Sequence, residues 1–196
     1  LRSMFPGIEV VQDDVRFVDF SNFGSSLLVF GNLPYSFSTD IVFHLLDNSK
    51  CIRRAILLLQ KEFAERMASP PGSRDYGVLS VGCQLTCSVS LGPEISPESF
   101  TPVPAVNSRL VELNFEKSVS HNQRDLSRSD IIRVVRSAFL KRRKKIHNSL
   151  KASGNFAGVD VDAAFLRAQI DPARRAETLS IQEFIDLTFE LIGKSK

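Results

Sequence analysis

Apolar residues in the first half of the chain fall in short continuous runs, a pattern that is typical of strands buried on both faces. The runs lie at 8–11, 26–30 and 55–59. The carboxylates of Asp13 and Asp14 follow the first run and are expected to mark the end of its strand. The pattern therefore predicts three strands before residue 60.

Two stretches with helical spacing lie between and after these runs. Residues 40–46 carry apolar side chains suited to one helix, and Ser38 or Thr39 is expected to cap it. Residues 60–67 predict a second helix. Buried strands that alternate with helices predict an α/β fold, in which helices cover both faces of a parallel sheet.

Residues 78–91 leave two interpretations open. Apolar residues and cysteines occupy every second position there, which indicates a strand, but a strand of that length would be unusual. The alternative is a helix followed by a strand, with the break near Cys87. The alternation over 106–115 predicts one more strand.

The last third of the chain has no strand pattern. Apolar residues with helical spacing predict three helices, over 129–145, 161–169 and 181–192. We therefore expect two domains, an α/β part over residues 1–120 and an all-α part over residues 121–196.

Composition excludes several classes of protein. The chain has 196 residues, of which 43% are hydrophobic and 24% charged, so it is not of the disordered type. It has no apolar run of the length that spans a bilayer, and we expect no membrane association. Three cysteines are too few for a disulfide scaffold, which favours a reducing compartment. The histidines and cysteines lack metal-ligand spacing, and we expect no metal site.

Positive charge is concentrated at the end of the chain. Residues 131–196 carry 13 basic and 7 acidic residues, whereas the whole chain has a net charge of only +3. No carboxylate lies between Asp130 and Asp160. Such a local field favours a polyanion, because each neutralised phosphate releases counterions. The alternative is a solvated helix face, although such faces normally include Glu or Asp.

The turn after the second predicted strand carries the candidate chemistry. It reads Gly31-Asn32-Leu33-Pro34-Tyr35, at the carboxyl end of a strand, where α/β sheets bind ligands. The Asn32 side-chain oxygen and the Leu33 carbonyl can both accept hydrogen bonds from a planar amine, Pro34 stiffens the turn, and Tyr35 offers a flat face for stacking. These properties suit the exocyclic amine of a flipped nucleobase. The alternative is an ordinary strand-to-helix turn.

Seven segments, in order and over nearly the whole chain, resemble motifs of the ribosomal RNA adenine dimethyltransferases. They are 12–13, 32–35, 59–62 with Arg66, 76–81, 100–108, 139–150 and 170–179. The last two resemble the branch that modifies the small ribosomal subunit. Asp14 stands where the family usually has a small residue, and His147 where a basic residue is more common.

The resemblance implies a fold and a reaction. The fold is a Rossmann-like S-adenosylmethionine-dependent methyltransferase sheet, truncated at its N-terminus, followed by a small all-α domain. The reaction is dimethylation of the exocyclic amines of two adjacent adenines near the 3′ end of small-subunit ribosomal RNA, with S-adenosylmethionine as cofactor. The enzyme is expected to contribute to small-subunit biogenesis.

The resemblance also implies roles for individual residues. Asn32, Leu33, Pro34 and Tyr35 match the catalytic motif, and Phe100 matches a residue that approaches the adenine from the other side, although an aromatic residue is more often simply part of the core. Asp13 and Asn32 match cofactor contacts. The residues expected to bind RNA are Arg136, Lys141, Arg142, Arg143, Lys144, Lys145 and Asn148.

The expected partner is small-subunit ribosomal RNA or the assembling subunit. We expect the protein itself to be a monomer in the cytoplasm. Compared with the family, the sequence lacks the glycine-rich cofactor loop and the acidic residue expected to hold the ribose. We therefore expect a fragment that by itself binds the cofactor poorly and is inactive. Two other functions stay open. One is a non-catalytic RNA-binding factor in ribosome assembly, and the other is a transcription-factor relative with the same fold.

Overall fold

A computed structural model describes residues 7–117 and 126–193. The first range holds β1 (Leu27–Asn32), α1 (Ser38–Asp47), β2 (Ile52–Gln60), α2 (Lys61–Ala68), α3 (Val78–Thr86), β3 (Ser88–Ile95) and β4 (Ser108–Asn114). The second holds α4 (Arg128–Phe139), α5 (Ile146–Ser153), α6 (Val161–Arg167) and α7 (Ile181–Ile192). Among the helices in these two ranges, none has the length and apolar character needed to cross a membrane.

The four strands form one mixed sheet in the order β1-β2-β4-β3. β1 and β2 are parallel and are joined through α1, as the alternation of strand and helix predicts. β4 runs antiparallel to both β2 and β3, so the prediction of a parallel sheet is wrong for this half. The connection from β3 to β4 holds a single 3-10 turn instead of a crossover helix. Strands that are joined without a crossover helix pair in antiparallel orientation.

Helices α1, α2 and α3 cover one face of the sheet. Their apolar residues form a core with the inward side chains of β2 and β4, among them Leu57, Leu59 and Val111. On the opposite face, Leu28 is 54% and Phe30 72% exposed. The prediction that helices cover both faces is therefore wrong for the described residues, because these side chains of β1 stay in contact with solvent.

Two predictions for the first 40 residues are also wrong. Residues 8–11 form no strand, and Ile8 and Val11 are 60% and 52% exposed, because no strand of the described chain pairs with them. At α1, neither Ser38 nor Thr39 occupies the N-cap position, which belongs to Phe37. Ser38 lies inside the helix, and its hydroxyl donates to the Pro34 carbonyl at 3.2 Å.

Helix α3 lies between two hydrophobic cores. Leu79 and Cys83 belong to the core beneath the sheet, whereas Val81 and Leu85 belong to the core of the helical part. Residues four apart share one face of a helix, so burial on two opposite faces places apolar residues at every second position. This explains the alternation over 78–91 and confirms the helix-then-strand interpretation, with the break at Cys87.

The helical part shares its core with the α/β part. Helices α4 to α7 pack together around Phe165 and Phe184, and Tyr76 from the α/β part is buried in the same cluster. α7 begins and ends as predicted, and the Ser180 hydroxyl accepts from the Glu183 N–H at its start.

The helix predicted over 129–145 ends early, at Phe139. Residues 140–145 form a turn, in which the Lys144 N–H donates to the Lys141 carbonyl at 2.8 Å, and α5 follows. Five consecutive cations, at 141–145, lie in this turn.

Candidate functional site

The predicted catalytic residues surround one cavity of about 260 Å³ at the carboxyl end of β1. Two segments that are far apart in sequence form its walls, the turn after β1 and the loop between β3 and β4. The lining residues are Asn32, Leu33, Pro34, Tyr35, Phe100, Thr101, Pro102 and Pro104. The structure therefore brings Phe100 together with the Asn32–Tyr35 turn, as the motifs predict.

The turn after β1 is shaped by a close approach at Gly31. A Cβ atom there would lie 2.9 Å from a methyl carbon of Leu33 and 3.2 Å from one of Leu57. Glycine thus allows Leu33 to fold back onto the sheet, where its N–H donates to the Leu58 carbonyl at 3.4 Å. Pro34 then leads into a 3-10 turn that continues into α1.

Asn32 and Tyr35 present different surfaces to this cavity. The Asn32 side chain is exposed and makes no hydrogen bond with any residue in the described ranges. The Tyr35 ring is 38% exposed, and its hydroxyl lies 3.0 Å from the Ser108 hydroxyl. Ser108 is fully buried at the start of β4. The cavity therefore offers a free amide and a ring whose position is fixed.

The loop that carries Phe100 is held at its base by Glu94. Its carboxylate accepts from the Asn107 side-chain amide and pairs with the Lys61 ammonium at 2.9 Å. The Lys61 ammonium, followed by the Asn107 amide, lowers the pKa of the Glu94 carboxyl. The Lys61 N–H also donates to the Asn107 carbonyl at 2.9 Å. Phe100 itself is half-buried.

Asp13 and Asp14 differ in their contacts. Asp14 forms a two-pronged ion pair with Arg16, with distances of 2.6 Å and 3.0 Å, and these hydrogen bonds lower its pKa to about 2. The Arg16 guanidinium lies 4.3 Å from the centre of the Phe37 ring. Asp13 is exposed, and its carboxylate accepts only the Asp14 N–H within the described part of the chain. Asp13 is thus the carboxylate that is available to a ligand.

The predicted RNA-binding residues do not share one helix face. Arg136 is exposed near the end of α4, Asn148 is exposed on α5, and the cations at 141–145 project from the turn between these helices. The resemblance to a single basic helix is therefore wrong in its geometry, because α4 ends before the run begins.

Sequence reasoning missed several residues near these surfaces. Ser108 contacts the Tyr35 hydroxyl, and Arg74 and Arg175 lie beside Arg142 and Arg143 around a second cavity. Ser108 and Arg175 lie in segments that resemble the family, but no local pattern predicts the contacts of any of the three, since their neighbours in space are distant in sequence. Within the described ranges, no group of three or more His, Cys, Asp or Glu residues is placed to hold a metal ion.

The chain is similar to known proteins in both sequence and fold. The family model of ribosomal RNA adenine dimethylases matches residues 3–192. A ribosomal RNA small subunit methyltransferase A from Desulforapulum autotrophicum is 38% identical over 191 residues, covering 95% of this chain and 66% of the relative. The protein of the same name from Geobacter metallireducens is also 38% identical, with coverages of 93% and 68%. The chain thus spans about two thirds of the length of these curated relatives.

Two solved structures share the fold. A dimethyladenosine transferase from Plasmodium falciparum has a TM-score of 0.73 and 22% identity, over 95% of this chain and 74% of that one. A 23S rRNA methyltransferase has a TM-score of 0.63 and 22% identity, over 97% of this chain and 74% of that one. Both likenesses extend across the mixed sheet and the helical part.

Proposed function

Because the chain belongs to the ribosomal RNA adenine dimethylase family, we propose that it methylates adenine in small-subunit ribosomal RNA. The reaction places two methyl groups from S-adenosylmethionine on the exocyclic amine of each of two adjacent adenines near the 3′ end of that RNA. The observation that carries this proposal is the cavity of about 260 Å³, which brings together the Asn32–Tyr35 turn and Phe100.

Asn32 and Leu33 account for activation of the amine. The nitrogen lone pair of adenine is delocalised into the ring, which makes the amine a poor nucleophile. If the Asn32 side-chain oxygen and the Leu33 carbonyl accept its two N–H groups, the nitrogen becomes more pyramidal and directs its lone pair at the incoming methyl. Positioning and electrostatics of this kind lower the barrier without a strong base.

Tyr35 and Phe100 would hold the substrate adenine by stacking on its two faces. Adenine has two flat faces, and the two rings line the same cavity from separate segments. Stacking on aromatic side chains contributes about 1–3 kcal/mol for each base. Pro34 stiffens the turn between the amine-binding residue and the stacking ring. The base must leave its helical stack to reach this cavity.

Asp13 and Asn32 are the described residues that fit S-adenosylmethionine. When bound, this cofactor supplies a methyl group on a positively charged sulfur. Asp13 has an exposed carboxylate suited to the adenine amine of the cofactor, and Asn32 has an amide that no described residue occupies. Asp14 is held by Arg16 instead. The site for the substrate adenine and the site for the cofactor would thus meet at Asn32, at the end of β1.

The proposed partners follow from this substrate. We infer that the protein acts as a cytoplasmic monomer on small-subunit ribosomal RNA, free or in the assembling subunit. The exposed cations at 141–145, with Arg136 and Asn148, supply the positive surface that such a substrate needs.

A methylation assay tests the proposal. The sequence lacks the glycine-rich cofactor loop of the family, so the assay uses a form of the protein to which that loop has been added. Small ribosomal subunits that lack the modification are incubated with this protein and S-adenosylmethionine, and primer extension then maps the product. We expect a stop at two adjacent adenines near the 3′ end. Binding of subunits without any such stop would instead identify a non-catalytic assembly factor.

The contact between Tyr35 and Ser108 gives a quantitative test of the stacking role. Ser108→Ala and Tyr35→Phe each remove one of the two hydroxyls that lie 3.0 Å apart, and with it the hydrogen bond between them. A hydrogen bond of this kind contributes about 0.5–1.5 kcal/mol, so each variant is expected to raise KM by roughly two- to tenfold. The value of kcat should change little, because the ring itself remains.

The double variant provides the control. If the two hydroxyls act only through each other, Ser108→Ala combined with Tyr35→Phe should have the effect of one substitution. Ser99→Ala, an exposed serine in the same loop, should leave KM unchanged. Additive effects of the two substitutions would contradict a shared role in positioning the ring.

A further inference from the structure

The segment over residues 7–24, which we call the Asp13 segment, has little regular structure of its own. It forms no strand, and its regular structure is a 3-10 turn over Phe20–Phe23. Several of its apolar side chains face solvent, and Phe17 is 77% exposed. Apolar packing therefore does little to fix the place of Asp13, and polar contacts have to do so.

Arg16 joins this segment to the start of α1. Its Nε and Nη2 atoms donate to the two carboxylate oxygens of Asp14 at 3.0 Å and 2.6 Å. The same guanidinium lies 4.3 Å from the centre of the Phe37 ring, and its Nη1 atom lies 4.0 Å from a carboxylate oxygen of Asp40. Phe37 holds the N-cap position of α1, and Asp40 lies in its first turn. We call the contacts of Arg16 with Asp14 and Phe37 the Arg16 clamp.

The clamp reaches the wall of the proposed substrate cavity. Phe37 ends the 3-10 turn that begins at Tyr35, and its N–H donates to the Pro34 carbonyl at 3.1 Å. Pro34 and Tyr35 both line the cavity of about 260 Å³. A contact on the Phe37 ring thus fixes the Asp13 segment relative to the turn that would hold the substrate adenine.

Arg16 also decides which of two neighbouring carboxylates is available to a ligand. The Asp14 N–H donates to an Asp13 carboxylate oxygen at 2.7 Å, so the orientation of Asp13 depends on the backbone at Asp14. The Arg16 N–H in turn donates to the Asp14 carboxylate at 3.0 Å. Hydrogen bonds from Arg16 lower the pKa of Asp14 to about 2 and neutralise its charge. A ligand near Asp13 therefore meets one free negative charge instead of two.

We propose that Arg16 is a positioning residue, which holds the Asp13 segment against the start of α1 so that the Asp13 carboxylate can accept from the adenine amine of S-adenosylmethionine. This inference rests on the proposed function for the identity of the ligand. A guanidinium suits the task because its flat surface stacks on an aromatic ring while its forked N–H groups bind a carboxylate. An ammonium group offers neither the fork nor the flat surface.

The first test needs no ligand and uses the chain as it stands. Amide hydrogen exchange is measured by NMR in the unchanged chain, Arg16→Gln and Arg16→Lys. The N–H groups of Arg16 and Phe17 donate to the Asp14 side chain and carbonyl, at 3.0 Å and 2.9 Å. We expect both to exchange roughly two- to tenfold faster in Arg16→Gln, with Arg16→Lys between the two. Arg53→Gln makes the same charge change at an exposed position on β2 and should leave these rates unchanged.

The second test asks whether the clamp acts through Asp13. Calorimetry compares S-adenosylhomocysteine with its S-inosyl analogue, which lacks the adenine amine, in the form of the protein that carries the added cofactor loop. We expect Arg16→Gln to weaken binding of S-adenosylhomocysteine by roughly three- to tenfold and to leave binding of the analogue unchanged. Asp13→Ala should weaken the same ligand at least as much, and the double variant should match Asp13→Ala alone.

Four results would overturn the proposal. They are unchanged exchange in Arg16→Gln, equal loss of affinity for both ligands, additive effects of the Arg16 and Asp13 substitutions, and a loss of RNA affinity while S-adenosylhomocysteine binds normally. Equal loss for both ligands would assign Arg16 a purely structural role, and loss of RNA affinity would make it an RNA contact. Normal binding and methylation by Arg16→Gln would reject the clamp alone. Failure of the form with the added loop to bind S-adenosylhomocysteine would instead reject the proposed function.

Discussion

Replacing Asn32 with alanine is expected to reduce methyl transfer by about 100- to 1,000-fold, while RNA affinity stays nearly the same. Loss of one preorganised hydrogen-bonding group at a reacting centre typically has this effect on kcat. The Asn32 side chain is exposed at the cavity and free of hydrogen bonds within the described ranges, so its removal leaves no buried group unsatisfied. The loss should therefore appear in kcat and not in folding.

Two further variants sharpen this test. Asn32→Asp keeps an oxygen acceptor of the same shape but adds a negative charge, and we expect it to retain more activity than Asn32→Ala. Asn22→Ala, at an exposed position outside the cavity, should behave like the unchanged protein. Methylation by Asn32→Ala at a rate close to that of the unchanged protein would contradict the role of Asn32 in binding the amine.

The turn at the end of β1 could be predicted from the sequence because the residues that indicate it are adjacent in the chain. An apolar run over 26–30, then glycine, asparagine and proline, predicts a strand followed by a turn. The structure has this strand and turn, although β1 continues two residues beyond the run, to Asn32. The resemblance added Phe100, which no spacing rule could place beside residue 35. The connection between β3 and β4 brings it there, and this antiparallel return was not predicted.

Contacts between distant segments could not be read from local patterns. The hydroxyl contact of Tyr35 joins it to Ser108, 73 positions further along the chain. Arg175 lies in a segment whose resemblance to the family was noted, but its convergence with Arg74 depends on how the helical part packs. Side-chain pairs of this kind are fixed by tertiary packing, which periodicity does not encode.

The residues of the basic run at 141–145 differ in their contacts within the protein. A sequence of cations favours a polyanion partner, and all five residues at 141–145 received the same role. In the structure, Arg142 is engaged by two carbonyls and a carboxylate, whereas its neighbour Arg143 is free of such contacts in the described ranges. Neighbouring residues in a turn point in different directions, so equal charge does not give them equal contacts.

Replacing Phe184 with alanine is expected to cost about 3–5 kcal/mol of the free energy of unfolding, the usual range for a buried phenylalanine. Phe184 is fully buried, and its ring centre lies 6.1 Å from that of Phe139. The Phe139 ring in turn contacts Tyr76 at 6.3 Å, so a chain of rings links α7 to the α/β part. For a protein of this length, the melting temperature should fall by roughly 6–20 °C.

Urea denaturation followed by circular dichroism measures this cost, and Phe30→Ala is its matched control. The same ring is removed there from a side chain that is 72% exposed, so the expected change is within about 0.5 kcal/mol. Equal losses for the two variants would contradict the assignment of Phe184 to the shared core. Because Tyr76, Val81 and Leu85 belong to that core, Phe184→Ala should also speed hydrogen exchange in α3. Exchange that rises only in α4 to α7 would instead show that the helical part unfolds independently of the α/β part.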